Sequence, residues 1–105
     1  MIDLNRVQQL RSEIGEDDFR EVADLFFAEI DEVVCRLAHS PDPAGLEADL
    51  HFIKSSALNL GLSRLSNLCR QGERAAAAGR EKNVDLGPIL TAYRDSKSAF
   101  ARLTG

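Results

Sequence analysis

The stretch HFIKSSALNLG, His51 to Gly61, holds the residues of this chain best suited to chemistry. A neutral imidazole is both a good nucleophile and a good leaving group, because an ordinary histidine titrates at roughly pH 6.5. Lys54 follows it by three residues and Ser55 by four. A lysine ammonium at that spacing could hold phosphoryl oxygens by charge-assisted hydrogen bonds. The Ser55 hydroxyl could add another. Taken alone, each of the three has a plainer reading. A single exposed histidine on a helix is ordinarily a solvated residue, Lys54 a solvated charge, and Ser55 uninformative.

The placement of His51 decides whether the chemistry is reachable. Leu46, Leu50, Ile53, Ala57 and Leu60 recur at helical spacing and predict a core-facing stripe. Successive helical residues turn by about 100°. His51 therefore lies roughly 140° from the centre of that stripe, on a solvent-facing surface. Its neighbours on the same face are Glu47, Ala48, Ser55 and Leu58. Ala48 and Ser55 are small and leave its flanks open to a large partner. Glu47, one turn earlier, is placed to orient the ring by accepting a hydrogen bond from its other nitrogen.

Four further segments must position this helix, and all show apolar spacing of three and four. The first spans about Leu4 to Ile14, with Asp3 as N-cap, a face of Leu4, Val7, Leu10 and Ile14, and a stop at Gly15. The second is expected to start near Asp18, with Glu21 completing a capping box. It carries Phe19, Val22, Phe26, Ile30, Val33 and Leu37 as its stripe and ends before HSPDP, where His39 would meet its last carbonyls. The His51 helix opens at Asp42 with Pro43 in the first turn, and Gly61 stops it. The fourth segment is expected to be capped by Ser63, to run to about Ala78 with a stop at Gly79, and to turn Leu65, Leu68, Cys69, Gly72 and Ala75 or Ala76 inward. Gly72 costs about 1 kcal/mol relative to alanine inside a helix, so it signals close approach by a neighbour. The fifth starts between Asp85 and Pro88, with Leu86, Ile89, Leu90, Tyr93, Phe100 and Leu103 inward. Short loops make successive helices antiparallel. The predicted fold is all-α, an up-down-up-down four-helix bundle with a short additional N-terminal helix, in one domain over residues 1–105.

Composition narrows the function. The chain has 105 residues, 44% hydrophobic and 29% charged, with a net charge of −4. That suits one modest core and argues against nucleic-acid binding, which calls for a basic face. No apolar run is long enough to span a membrane, and the N-terminus lacks a signal-peptide layout. Cys35 and Cys69 read as small buried hydrophobes in a reduced, cytoplasmic setting. Cys35, His39, His51 and Cys69 offer no ligand spacing on a common face, so no metal site is expected. Without a Gly-rich phosphate loop, autonomous kinase activity is not expected either.

The run from His51 to Gly61 resembles the phosphorylation-site signature of bacterial histidine-containing phosphotransfer (HPt) domains. That signature has a histidine, an apolar residue two on, a lysine three on, small residues next and a glycine ten after the histidine. Leu65, Leu68, Cys69 and Glu73 look like the family's following helix. The segment LRSEIGEDDFREVADLFFAEI is similar to the helix-turn-helix that precedes the site. Two positions depart from the pattern: Ser55 stands where glycine is usual, and Gly72 where a larger apolar residue is common.

The resemblance implies a phosphorelay intermediate. His51 would accept a phosphoryl group from the aspartyl phosphate of one response-regulator receiver domain and pass it to another. Lys54 would stabilise the phosphoryl group. The implied partners are receiver domains and a hybrid histidine kinase. The domain itself would bind no cofactor, since the receiver brings the Mg²⁺. Glu47, Ala48, Ser55, Leu58 and Leu62 are the expected partner contacts, with Leu58 and Leu62 as exposed apolar anchors. Gly61 and Cys69 are structural. A helical adaptor that docks a signalling partner without transferring phosphate is the competing reading, and it has no need of His51 with Lys54.

Overall fold

The computed structural model describes residues 2–104. Five α-helices form a bundle: α1 (Leu4–Ile14), α2 (Glu16–His39), α3 (Leu46–Leu60), α4 (Ser63–Ala77) and α5 (Gly87–Thr104). Short 3₁₀ turns at Pro43–Gly45 and Glu81–Asn83 lead into α3 and follow α4. Among the described residues there is no strand. Helix α3 packs between α2 and α4, α5 closes the ring against α4 and α2, and α1 lies across α2 and α3. This is the expected four-helix bundle with its additional N-terminal helix.

Several ends form as the local chemistry dictates. The Asp3 side chain accepts from the Arg6 N–H at 3.2 Å, and Asp42 accepts from Ala44 at 3.1 Å. Asp42 thus caps the 3₁₀ turn, one step before α3 begins. Helix α2 starts at Glu16, directly after Gly15, so the expected capping box at Asp18 and Glu21 does not form. Glu16, Asp17 and Asp18 fill the first turn instead, where negative charge complements the helix dipole.

Helices α3 and α4 end alike. The Leu62 N–H reaches Ala57 O at 2.8 Å and the Gly61 N–H reaches Leu58 O at 3.3 Å; Arg80 and Gly79 repeat the pattern on Ala75 and Ala76. Gly61 and Gly79 have φ of 79° and 80°. These are Schellman turns, which require a left-handed residue and fold the next one back toward the helix. That corrects the expectation for Leu62. It is 0% exposed and belongs to the core, because the turn at Gly61 swings it inward. Leu62 also takes the N-cap position of α4, which makes Ser63 the first helical residue rather than the cap.

The core joins Val7 and Leu10 of α1, Phe19, Phe27, Ile30 and Leu37 of α2, Leu50, Ile53 and Leu60 of α3, Leu65 and Cys69 of α4, and Ile89, Tyr93 and Phe100 of α5. The stripe on α2 is rotated from the expected one. Ala23 and Phe27 are buried, while Phe26 and Val33 are only partly so. The cause is α5: Phe27 meets Phe100 edge-on at 5.3 Å between centroids, and Phe19 stacks on Phe100 at 5.9 Å. Cys35 is exposed rather than buried. It lies about 200° around the helix from Leu37. Leu4 and Leu103, at the outer ends of their helices, are also exposed. Tyr93 donates to the Asp31 carboxylate, which also holds Lys97 at 2.9 Å, tying α5 to α2.

Gly72 is closely approached, as its place inside a helix predicts. A Cβ there would lie 2.8 Å from Leu50 Cδ1 and 3.3 Å from Val84 Cγ1. At Gly61 a Cβ would lie 2.9 Å from the Asp3 carbonyl oxygen, whereas nothing approaches Gly79 within 4 Å. Gly79→Ala should therefore lose only the left-handed penalty, about 1–2 kcal/mol. Gly61→Ala should lose at least ~1 kcal/mol more, because α1 must shift. Urea unfolding of the two variants checks this, and equal losses would mean that α1 is not tightly seated on the α3–α4 turn.

Candidate functional site

The site grows from the Leu50–Gly72 contact. Leu50 precedes His51 on α3, and Gly72 precedes Glu73 on α4. With the Leu50 methyl seated against a residue that has no side chain, the two helices approach closely at this level. The next residue on each helix then meets its counterpart at the edge of the interface. Glu73 Oε2 lies 2.6 Å from His51 Nδ1, and Glu73 Oε1 lies 2.6 Å from Lys54 Nζ. One carboxylate spans both residues singled out by the sequence.

Exposure is graded across the three. The His51 side chain is 63% exposed, that of Lys54 20% and that of Glu73 15%. The ring stands out from the bundle while the groups that hold it lie at the helix–helix seam. Glu73 is kept below the usual carboxylate range. The hydrogen bond from Lys54 is the main cause; partial burial opposes it and the bond to His51 adds to it. An ionised carboxylate only accepts hydrogen bonds. In the neutral ring Nδ1 must therefore carry the proton, and Nε2 keeps the lone pair. Among the described residues Nε2 has no hydrogen-bond partner.

The surrounding face is only partly the expected one. Glu47, Ala48 and Leu58 are exposed and Ser55 is half-buried, all on the His51 helix. Leu58, at 56% exposed, is an exposed apolar residue two turns along the helix from His51. Leu62 is not, for the reason given above. The ring is held by Glu73 rather than by Glu47, an assignment that spacing along one helix could not make. Gly72 is the available signal: a residue that admits a neighbouring helix puts the next residue on that neighbour's flank. Cys69 lies one turn before Glu73 and is fully buried; burial, then the Glu73 charge, pushes its thiol up to about 12. Among the described residues no three His, Cys, Asp or Glu side chains are grouped to hold a metal ion, and no helix is long and apolar enough to cross a membrane.

His51 thus stands out from the helical bundle with the Glu73 carboxylate behind it and Lys54 on the same carboxylate. Residues 4–101 match the Hpt domain family, and the chain belongs to it. Membership gives the chain a phosphotransfer role in two-component signalling, as a phosphocarrier module. The chain has no significant match among curated proteins or solved structures.

The depressed Glu73 pKa fixes the sign of one pH effect. A carboxylate lowered on folding adds stability above its ordinary value, here 4.5, and that contribution is lost as the pH falls through the folded value. The stability gap between the wild type and Glu73→Gln should be widest above about pH 5 and should shrink toward pH 3. Urea unfolding across that range is the measurement, and a gap that stays constant with pH would contradict it.

Proposed function

We propose that His51 Nε2 accepts a phosphoryl group from the aspartyl phosphate of one receiver domain and donates it to the aspartate of another. The observation that carries this reading is the Glu73 carboxylate on Nδ1, which leaves the outward nitrogen as the nucleophile. In the transfer a bond forms between Nε2 and phosphorus while the bond from phosphorus to the aspartyl oxygen breaks. The aspartate leaves as a carboxylate. The ring, already protonated on Nδ1, becomes an imidazolium, and Glu73 faces that new charge. A buried carboxylate plays the same part behind the histidine of a serine protease, fixing the tautomer and stabilising the imidazolium.

The receiver supplies the aspartate and a Mg²⁺ that neutralises phosphoryl charge; this chain supplies a positioned nucleophile and a docking face. That face comprises Glu47, Ala48, Ser55 and Leu58 around His51. The upstream source of phosphate is a hybrid histidine kinase, and the chain has no kinase activity of its own. Free thiols at Cys35 and Cys69 favour the cytoplasm as its setting. We take residues 1–105 as a single domain of this kind.

Incubation with a labelled, phosphorylated receiver should place acid-labile, base-stable label on the chain. The label should vanish in His51→Gln; label on another residue of the wild type would reject the assignment, and no label at all would favour a binding-only adaptor. Glu73→Ala should slow transfer by about 10- to 150-fold, the equivalent of one charge-assisted hydrogen bond of roughly 1.5–3 kcal/mol. An unchanged transfer rate would remove Glu73 from the mechanism. Ser55→Trp should weaken receiver binding while the bundle stays folded, and unaltered affinity would move the docking face elsewhere.

A further inference from the structure

Lys54 is expected on the phosphoryl group, yet here its ammonium is held by Glu73 at 2.6 Å. We propose that phosphorylation of His51 transfers Lys54 from the Glu73 carboxylate to the phosphoryl oxygens, so that the lysine is stored on the carboxylate in the unphosphorylated domain and released by the arriving charge. This deepens the reading of His51 as the phosphorylated residue and rests on it.

The geometry supplies both ends of the move. His51 and Lys54 sit three apart on α3, adjacent on one helical face, and they grip the two oxygens of the same carboxylate. The ammonium therefore starts on the same carboxylate that holds the ring. Its four-carbon stem is flexible and its charge compact, so it can swing without moving the helix. It has to swing, because the two ring nitrogens point in diverging directions. Glu73 lies on the Nδ1 side, and the phosphoryl group would lie beyond Nε2.

Charge decides the direction of the exchange. A phosphoryl group carries about −1.5 to −2 near neutral pH, against a single negative charge on Glu73. Once the ring is phosphorylated it also carries a positive charge, and the Nδ1–H then satisfies Glu73 more strongly than the neutral ring did. So the carboxylate gains a cation on one oxygen as it releases one from the other. No net charge is left unpaired at the half-buried seam. Before phosphorylation, by contrast, Glu73 depends on Lys54 for its positive partner, and removing that ammonium would leave the carboxylate poorly compensated.

The exchange predicts that residues 54 and 73 are coupled in one state and independent in the other. The test is a pair of double-mutant cycles with Lys54→Ala and Glu73→Gln, alone and combined. Urea unfolding of the unphosphorylated proteins should show clear non-additivity, because the two side chains touch. For the lifetime of phosphohistidine, loaded from a phosphorylated receiver or from phosphoramidate, the effects should multiply within about twofold. Lys54→Ala should shorten that lifetime by a similar factor in both backgrounds. Coupling beyond about twofold in lifetime would mean that Lys54 stays on Glu73 and would overturn the exchange. An unchanged lifetime in Lys54→Ala would overturn it as well. Failure of His51 itself to take label is a separate result, which rejects the underlying reading rather than the exchange. The carboxamide introduced by Glu73→Gln can still accept from Nδ1–H, so the cycle removes the ion pair without removing the ring's support.

Discussion

The seating of Leu50 against Gly72 is the contact on which the site depends. A side chain at residue 72 would displace Leu50 from its seat, since even a Cβ would come within 2.8 Å of Leu50 Cδ1. With glycine there, the seam closes and two residues that are polar and outward on their own helices are forced to meet. The site is thus a surface consequence of a core contact. Register and distance are set by apolar packing, which is stiff, and the polar groups need only complete what packing has aligned. The Schellman turn at Gly61 acts from the other end: it fixes the α3–α4 connection, buries Leu62 and receives α1 through the Asp3 N–H to Gly61 O bond of 2.7 Å.

The electrostatics follow from where that seam lies. Glu73 is covered enough for its two hydrogen bonds to matter but keeps some contact with water, so its ionised form survives. Partial burial alone would favour the neutral acid; Lys54 and His51 together outweigh it. Tyr93, Asp31 and Lys97 show a related arrangement between α5 and α2. There burial would raise the Asp31 pKa, and the hydrogen bonds from Tyr93 and Lys97 outweigh it and lower it. The difference is chemical. Asp31 holds a phenol that burial and the neighbouring carboxylate keep protonated, which ties two helices together. Glu73 holds an imidazole, whose other nitrogen has no hydrogen-bond partner among the described residues.

Much of this is legible in the residues themselves. Five apolar stripes, the caps at Asp3 and Asp42 and the stops at Gly15, Gly61 and Gly79 depend on local chemistry, and the helices follow them closely. The outward direction of His51 follows from helical angle alone. The departures depend on partners that local sequence does not name. The α2 stripe turns toward Phe27 because Phe100 comes from α5. Leu62 has the look of a surface leucine because its burial is created by the turn before it. Cys35 is the exception: residue type suggests burial, but its angle to Leu37 already places it outside. Gly72 signals a close approach correctly, yet the step from Gly72 to its neighbour Glu73 requires knowing which helix approaches.

The choice of Glu73 over Glu47 shows why a second helix is needed. Glu47 sits one turn from His51 and could meet the ring, but it is exposed. Bonding would cost it rotamer entropy, roughly 1.5–2 kcal/mol for such a side chain, and water would compete for the same oxygens. Glu73 has already been ordered by the α3–α4 seam and by Lys54, so that loss belongs to folding rather than to the proposed phosphoryl transfer. A carrier must leave one nitrogen open to a bulky partner. Support for the ring therefore has to come from the side that the partner does not approach, and in this bundle α4 borders His51 from that side with a group held in advance.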